Sequence, residues 1–160
     1  MARITWKNAW IGGMVYALGD SVATLMTGDF QYPRMLGMLV LGGSLCAWEI
    51  PTYFQFLARR FDKPGYWNAI KRTLLAAIFF NPLWIARHMI FIRVFSGRWQ
   101  DIAFDILLIA SQSFIYCFPI SLVVNYINQN KVPLQWRFIV SSFYSALMAI
   151  YFALSEVLFG

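Results

Sequence analysis

The stretch Ile78–Phe95 reads IFFNPLWIARHMIFIRVF and decides the class of fold. It is apolar enough to enter a bilayer, yet it carries Asn81-Pro82 near its start and Arg87-His88 further along. A guanidinium at membrane depth costs from about 2.5 to more than 10 kcal/mol unless a partner or water compensates it. The rest of the chain therefore has to supply a partner for Arg87.

The composition of the chain is that of a membrane protein. Of its 160 residues 60% are hydrophobic and 19% aromatic, whereas 12% are charged, which is far from the usage of soluble domains. Apolar runs of about 20 residues, the length that spans a bilayer, fill nearly the whole length. We therefore expect one multi-pass domain over residues 1–160. The formal charge of +6 does not indicate nucleic-acid binding, because the basic residues lie mostly at the ends of apolar runs.

Five apolar runs predict an all-α integral membrane bundle of four to five transmembrane helices. Their approximate limits are residues 9–27, 35–58, 73–95, 102–127 and 138–159. Small residues in the first two runs, including Gly13 and Gly43, form the pattern that lets helix backbones approach each other in lipid. Pro51 interrupts the second run two residues after Glu49, and we expect it to kink the helix.

The basic residues are distributed unevenly between the two ends of the predicted bundle. If all five runs cross the bilayer, one side carries Arg3, Lys7, Arg59, Arg60, Lys63, Lys71, Arg72, Lys131 and Arg137, and the other carries mainly Arg34, Arg93 and Arg98. Since the cytoplasmic or matrix side of a membrane protein carries the excess of Lys and Arg, we expect the N-terminus there.

Polar side chains inside the predicted helices suggest a narrow pore or a solute pocket, because intramembrane ionisable residues commonly mark solute pathways. At 1.5 Å rise per residue, Asp20, Arg87 and Gln112 fall at a similar depth, which predicts an Asp20–Arg87 ion pair. The expected lining consists of Asp20, Glu49, Asn81, Arg87, His88, Gln112 and Asn125. The alternative is a non-transporting scaffold or oligomerising protein in which the buried charges only hold helices together.

Signatures of catalysis and of cofactor binding are missing from the sequence. There is no Gly-rich phosphate loop, and a single histidine does not provide the paired ligands of a metal site. Cys46 and Cys117 lie in apolar runs, where burial makes a thiol unreactive. We therefore expect no enzymatic activity, no cofactor and no metal. The expected partners are the lipid bilayer, a small solute or ion, and further copies of the chain, without nucleic acid.

Several motifs together resemble the Mpv-seventeen and peroxisomal membrane protein family. They are Gly19-Asp20, Arg34, Gly42, Pro82, Pro119, Asn125, and the run Val132-Pro133-Leu134-Gln135-Trp136-Arg137. The resemblance implies a multi-pass protein of mitochondrial inner or peroxisomal membranes, or of the bacterial inner membrane in a prokaryote, with a channel-like function. Arg87 and His88 have no counterpart in the family pattern. The sequence has five apolar runs, one more than the four membrane spans usual in the family.

The uneven charge distribution predicts which loops share a side of the membrane. Single cysteines placed near Lys63 and near Lys131, with Cys46 and Cys117 changed to alanine, are expected to lie on the side of the N-terminus. A cysteine near Arg98 is expected on the opposite side. Labelling of sealed vesicles with a membrane-impermeant maleimide measures this, and labelling of the Lys63 and Arg98 positions from one side would contradict the topology.

Overall fold

The structure, a computed structural model, describes residues 5–159, with the side chains at 149 and 152–159 left aside. Its helices are α1 (Trp6–Thr27), α2 (Tyr32–Leu41), α3 (Ala47–Arg60), α4 (Tyr66–Phe79), α5 (Pro82–Phe95), α6 (Asp105–Asn130) and α7 (Leu134–Phe159). A π-helical turn, Gly42–Cys46, joins α2 to α3, and a 3-10 turn, Trp99–Asp101, precedes α6.

These helices form five rods, since α2 runs into α3 and α4 is followed directly by α5. Three rods are long and apolar enough to cross a membrane, namely Tyr32–Arg60, Tyr66–Phe95 and Asp105–Asn130. The described residues contain no strand. The predicted all-α membrane bundle is therefore confirmed, while the crossing of the bilayer by α1 and α7 stays a prediction.

The third rod is broken, although the sequence suggested one uninterrupted helix over residues 73–95. Pro82 is the first residue of α5, where its missing N–H costs nothing, and its ring pushes the preceding residue out of helical geometry. Asn81 accordingly has φ −69° and ψ 172°, and its side chain accepts a hydrogen bond from the Trp84 N–H at 3.0 Å. The carboxamide oxygen of Asn81 thus caps α5, and a role of Asn81 in lining a pore stays a prediction.

The first rod crosses the second at four glycines. A Cβ atom on Gly12 would lie 2.5 Å from the carbonyl oxygen of Gly42, and a Cβ on Gly42 would lie 2.5 Å from that of Gly12. One residue further along each helix, a Cβ on Gly13 would lie 3.6 Å from the Cα of Gly43. The predicted contact of Gly13 with Gly43 is confirmed. The 2.5 Å distances at Gly12 and Gly42 show that the crossing itself requires glycine.

The other side of α1 packs against α7. A Cβ on Gly19 would lie 2.8 Å from the Cα of Ala146, so α1 is held between the second rod and α7. The N-terminal ends of α1 and α7 are adjacent, since the Lys7 ammonium lies 4.4 Å from the centre of the Trp136 ring. Arg72, in the middle of α4, bonds to Asn130 at the end of α6. We call this end of the bundle, with Lys7, Arg72 and Arg137, the basic end.

The glycine crossing predicts that two substitutions to alanine, two residues apart in the chain, differ strongly in their effect on stability. Gly42→Ala places a methyl group against the Gly12 carbonyl and is expected to destabilise the protein by about 1–3 kcal/mol, as overpacking does. Ser44→Ala, at an exposed position of the same turn, is expected to change stability by less than about 0.5 kcal/mol. Unfolding in detergent measures both, and equal stabilities of the two variants would exclude the close crossing.

Candidate functional site

Asp20 and Arg34 form a buried ion pair between α1 and α2. The Arg34 Nε donates to Asp20 Oδ2 at 2.9 Å and its Nη2 donates to Oδ1 at 2.7 Å. The two residues are 1% and 7% exposed, so both charges are withdrawn from the surroundings of the protein. A bidentate arrangement of this kind is the strongest form of charge-assisted hydrogen bonding available to arginine.

The predicted Asp20–Arg87 pair is therefore wrong. The depth of a Cα atom does not fix the depth of an arginine's charge, because the side chain can extend several ångströms along a helix from its Cα. Arg34 lies in the first turn of α2 and reaches back to Asp20, which lies two turns before the end of α1.

Arg87 is paired with Glu49 instead. Its Nη2 donates to Glu49 Oε2 at 2.7 Å and its Nη1 donates to Oε1 at 3.2 Å, joining α5 to α3. The side chains are 37% and 23% exposed, and the guanidinium lies 5.6 Å from the centre of the Trp84 ring. Glu49 thus lies at the level of Arg87 in the bundle.

Helix α6 carries a buried polar stripe along one face. Its members are four residues apart and are each at most 7% exposed: Ser113, Cys117, Ser121, Asn125 and Gln129. Sixteen residues of helix correspond to about 24 Å, most of the thickness of a bilayer core. Gln112 lies one residue, or about 100°, around the helix from this stripe. It is exposed, so the prediction that it lines the interior is wrong.

Hydrogen bonds connect the stripe to α7 at both ends and in the middle. The Ser121 and Tyr144 hydroxyls are 2.7 Å apart, and the Tyr151 hydroxyl donates to the Ser113 carbonyl at 3.4 Å. At the basic end, Arg137 Nη1 donates to Gln129 Oε1 at 3.3 Å. The α6–α7 interface therefore contains polar contacts near both ends of the stripe and in its middle.

Asn125 continues the stripe between Ser121 and Gln129. It is 3% exposed, and its side-chain amide donates to the Ser121 carbonyl at 2.9 Å. This bond stays within α6, so it satisfies the amide without tying the side chain to another helix.

A cavity of about 30 Å³ lies beside the middle of the stripe, among α1, α5, α6 and α7. Its walls are Tyr16, Phe80, Trp84, Ile85, His88, Cys117, Ser121, Tyr144, Ser145 and Met148. The volume is sufficient for about one water molecule, and the hydroxyls provide the polar partners that a buried water requires. The Tyr16 hydroxyl lies beside Ser145 and Cys46.

His88 forms part of this cavity wall. It is 5% exposed, its ring is stacked on Trp84 with 5.8 Å between centroids, and it lies 6.0 Å from the Tyr16 ring. Among the described residues no group of three or more His, Cys, Asp or Glu side chains has the arrangement of a metal site. The chemistry available at the cavity is hydrogen bonding by hydroxyl and imidazole groups.

The residues predicted to line one pathway thus lie in different parts of the structure. His88 lies at the cavity and Asn125 in the stripe, while Asp20, Glu49 and Arg87 belong to ion pairs. The residues that sequence reasoning missed are Ser113, Ser121, Gln129 and Tyr144, of which the first three repeat at multiples of four in α6. The spacing of these polar residues in the sequence indicates that they share one side of α6.

The positions that carry the family resemblance have structural roles here. Gly19 and Gly42 permit the close approaches of α1, Pro82 begins α5, and Pro133 directly precedes α7. Pro119 lies inside α6 at an exposed position.

Comparison with known proteins gives one partial similarity. The chain is 28% identical over 98 residues to PXMP2/4 family protein 1 of Dictyostelium discoideum, which covers 56% of this chain and 48% of that protein. The chain thus spans about half the length of this relative. No family model and no solved structure matches this chain. The partial similarity suggests the peroxisomal membrane protein family, and the apolar helices make the chain an integral membrane protein.

The observed pairing predicts a specific pattern of energetic coupling. Asp20→Asn or Arg34→Gln alone leaves a buried charge unpaired and is expected to cost about 3–5 kcal/mol. The double variant is expected to cost less than the sum, with a coupling energy of at least about 0.5 kcal/mol. Unfolding of the four proteins in detergent gives this value.

The matched control combines Asp20→Asn with Arg87→Gln, which removes one partner from each of two different pairs. Their effects on unfolding are expected to add within about 0.3–0.5 kcal/mol. The Asp20–Arg34 pairing would be wrong if the free energies of unfolding showed coupling between Asp20→Asn and Arg87→Gln but additivity between Asp20→Asn and Arg34→Gln.

Proposed function

We propose that the chain is a member of the peroxisomal membrane protein family and provides a narrow pathway for water-sized solutes or ions, closed in this structure. The observation that carries the proposal is the buried polar stripe of α6. Polar side chains within a membrane bundle are costly and commonly mark solute pathways, and here they continue for about 24 Å.

The stripe connects the cavity to the basic end. Cys117 and Ser121 line the cavity, Asn125 follows one turn further on, and Gln129 meets Arg137 where α7 begins. Hydroxyl and amide groups at successive turns offer hydrogen bonds to a passing solute, in the way that pore-lining polar groups replace hydration.

Apolar residues close the pathway between the cavity and the opposite end. Ile85 and Met148 line the cavity and also belong to an apolar cluster with Met89, Ile109 and Ala110. A constriction lined by such side chains blocks conduction by excluding water. Since the cavity admits about one water molecule, we propose water and small ions as the transported class, rather than large metabolites.

The proposal includes the setting of the protein. The resemblance and the partial similarity favour a peroxisomal or mitochondrial inner membrane, or a bacterial inner membrane in a prokaryote. We propose that the protein is not an enzyme and that it associates with further copies of itself in the bilayer.

A non-transporting scaffold is the second candidate function. The observation that favours it is the pairing of both Arg34 and Arg87 with carboxylates, because a paired charge can hold helices in register without conducting anything. A scaffold and a pathway differ in one measurable property, the permeability of a bilayer that contains the protein.

The test uses a substitution that fills the stripe without introducing charge. Ser121→Val replaces a cavity-lining hydroxyl with a larger apolar group and is expected to lower water permeability of proteoliposomes several-fold relative to the unaltered protein. Ser111→Val makes the same change on α6 away from the stripe, at a hydroxyl that bonds to the Leu107 carbonyl at 2.7 Å. It is expected to retain full permeability.

Stopped-flow light scattering after an osmotic step measures the permeability, and parallel efflux of potassium and chloride tests ion passage. Gel filtration and unfolding in detergent establish that each variant is folded. Permeability equal to that of protein-free liposomes, or an equal loss in both valine variants, would overturn the pathway. The first result favours the scaffold.

A further inference from the structure

We propose that the basic end carries a binding site for a phosphate group, formed by Arg72, Arg137 and Gln129 between α4, α6 and α7. A phosphate can come from an anionic lipid headgroup or from solution, and the experiment below distinguishes these sources. The inference does not depend on the proposed pathway, because the site would bind phosphate even if no solute crossed the protein.

Arg72 is held by neutral acceptors. Its Nε and Nη2 both donate to Asn130 Oδ1, at 3.1 and 2.8 Å, and its Nη1 donates to the Phe61 carbonyl. Asn130 is fixed in turn, because its amide donates to the Thr73 hydroxyl at 3.0 Å. The guanidinium is thus positioned by its neighbours while its charge remains uncompensated by them.

Arg137 is held in the same way. Its Nε donates to the Val132 carbonyl at 3.0 Å and its Nη1 to Gln129 Oε1 at 3.3 Å. Arg137 and Arg72 are held by consecutive residues of α6, Gln129 and Asn130, so the two positive charges lie at the same part of the bundle and repel each other. Neither guanidinium has a carboxylate within 4.0 Å in the part of the chain that the structure describes, where the ion pairs involve other arginines.

Gln129 adds a donor without an acceptor. Its side chain is 0% exposed, its oxygen is occupied by Arg137, and its Nε2 makes no hydrogen bond to any described residue. A buried donor left in this state costs free energy. An oxyanion bound against Arg137 would accept from the amide and neutralise the repulsion between the two guanidinium groups.

Phosphate fits this arrangement better than a single carboxylate does. The phosphate of a lipid headgroup has two non-bridging oxygens, and each can accept more than one hydrogen bond. These oxygens can bind the N–H groups of both arginines that the contacts above leave unused, together with the Gln129 amide, since arginine binds phosphate through two N–H groups at once. Both arginines are half-buried at the end of the bundle where the basic residues collect. Basic pockets between transmembrane helices at this kind of surface are suited to anionic headgroups, so a lipid is the expected source.

The unfolding midpoint of the detergent-solubilised protein at low salt tests the proposal. Short-chain phosphatidylglycerol is expected to raise the midpoint by several degrees, since a ligand that binds the folded state stabilises it. Short-chain phosphatidylcholine, whose phosphate is neutralised by choline, is expected to raise it much less. A rise with inorganic phosphate at the same concentration, equally dependent on Arg137, would support the phosphate site with a soluble ligand instead.

Three variants establish where the anion binds. Arg72→Gln and Arg137→Gln are each expected to abolish most of the phosphatidylglycerol shift, whereas Arg59→Gln, which removes an exposed charge from the same end, is expected to keep it. Equal losses in Arg59→Gln and Arg137→Gln would show diffuse attraction and overturn the site, as would absence of any shift in the unaltered protein.

Arg137→Lys keeps the proposal testable if the glutamine variants do not fold. It preserves the charge and loses the planar fork, so the phosphatidylglycerol shift is expected to fall by about half or more. Native mass spectrometry, which counts phosphatidylglycerol adducts directly, is expected to show the same order. A lysine variant with an undiminished shift and undiminished adducts would overturn the bidentate site.

Discussion

The ion pair between Asp20 and Arg34 is the constraint on which the rest of the structure depends. Within a bilayer neither charge is tolerable alone, so the pairing fixes how α1 and α2 lie against each other. Gly12 lies eight residues before Asp20 on α1. Gly42 lies eight residues after Arg34, at the start of the π-helical turn that continues α2, and the two backbones meet at these glycines. On each of the two antiparallel helices the charged residue and the glycine are about 12 Å apart. A single alignment of the helices therefore forms both the ion pair and the glycine crossing.

The position of the cavity follows from that register. Tyr16 lies midway between Gly12 and Asp20 on α1, close to Gly42, and its ring forms one wall of the cavity. Displacement of α1 by one turn would withdraw the ring from His88 and place Gly12 or Asp20 there. The glycine contacts, the ion pair and the cavity wall thus support one another, and the same helix face serves packing and the candidate site.

The sequence predicted much of the fold because hydrophobic runs and small residues report directly on helices and their contacts. It failed where side-chain reach or angular position decided the outcome. The Arg34 side chain reaches Asp20 over a distance that the depths of the Cα atoms do not show. The helix predicted over residues 73–95 is interrupted, because α5 begins at Pro82 with Asn81 as its N-cap. Gln112 has the depth expected of a lining residue but faces away from the interior. The depth of a residue along a helix follows from its number in the sequence. The rotation of the helix about its axis depends on its contacts with every neighbouring helix.

The central claim is that Asp20 is paired with Arg34 in the membrane-embedded protein. Solid-state NMR in lipid bilayers tests it most directly, through dipolar recoupling between ¹⁵N in arginine guanidinium groups and ¹³C in aspartate carboxylates. An N–O distance of 2.7 Å predicts strong dephasing of the Asp20 carboxylate, which disappears in Arg34→Gln and remains in Arg87→Gln. Dephasing lost in Arg87→Gln and retained in Arg34→Gln would contradict the account.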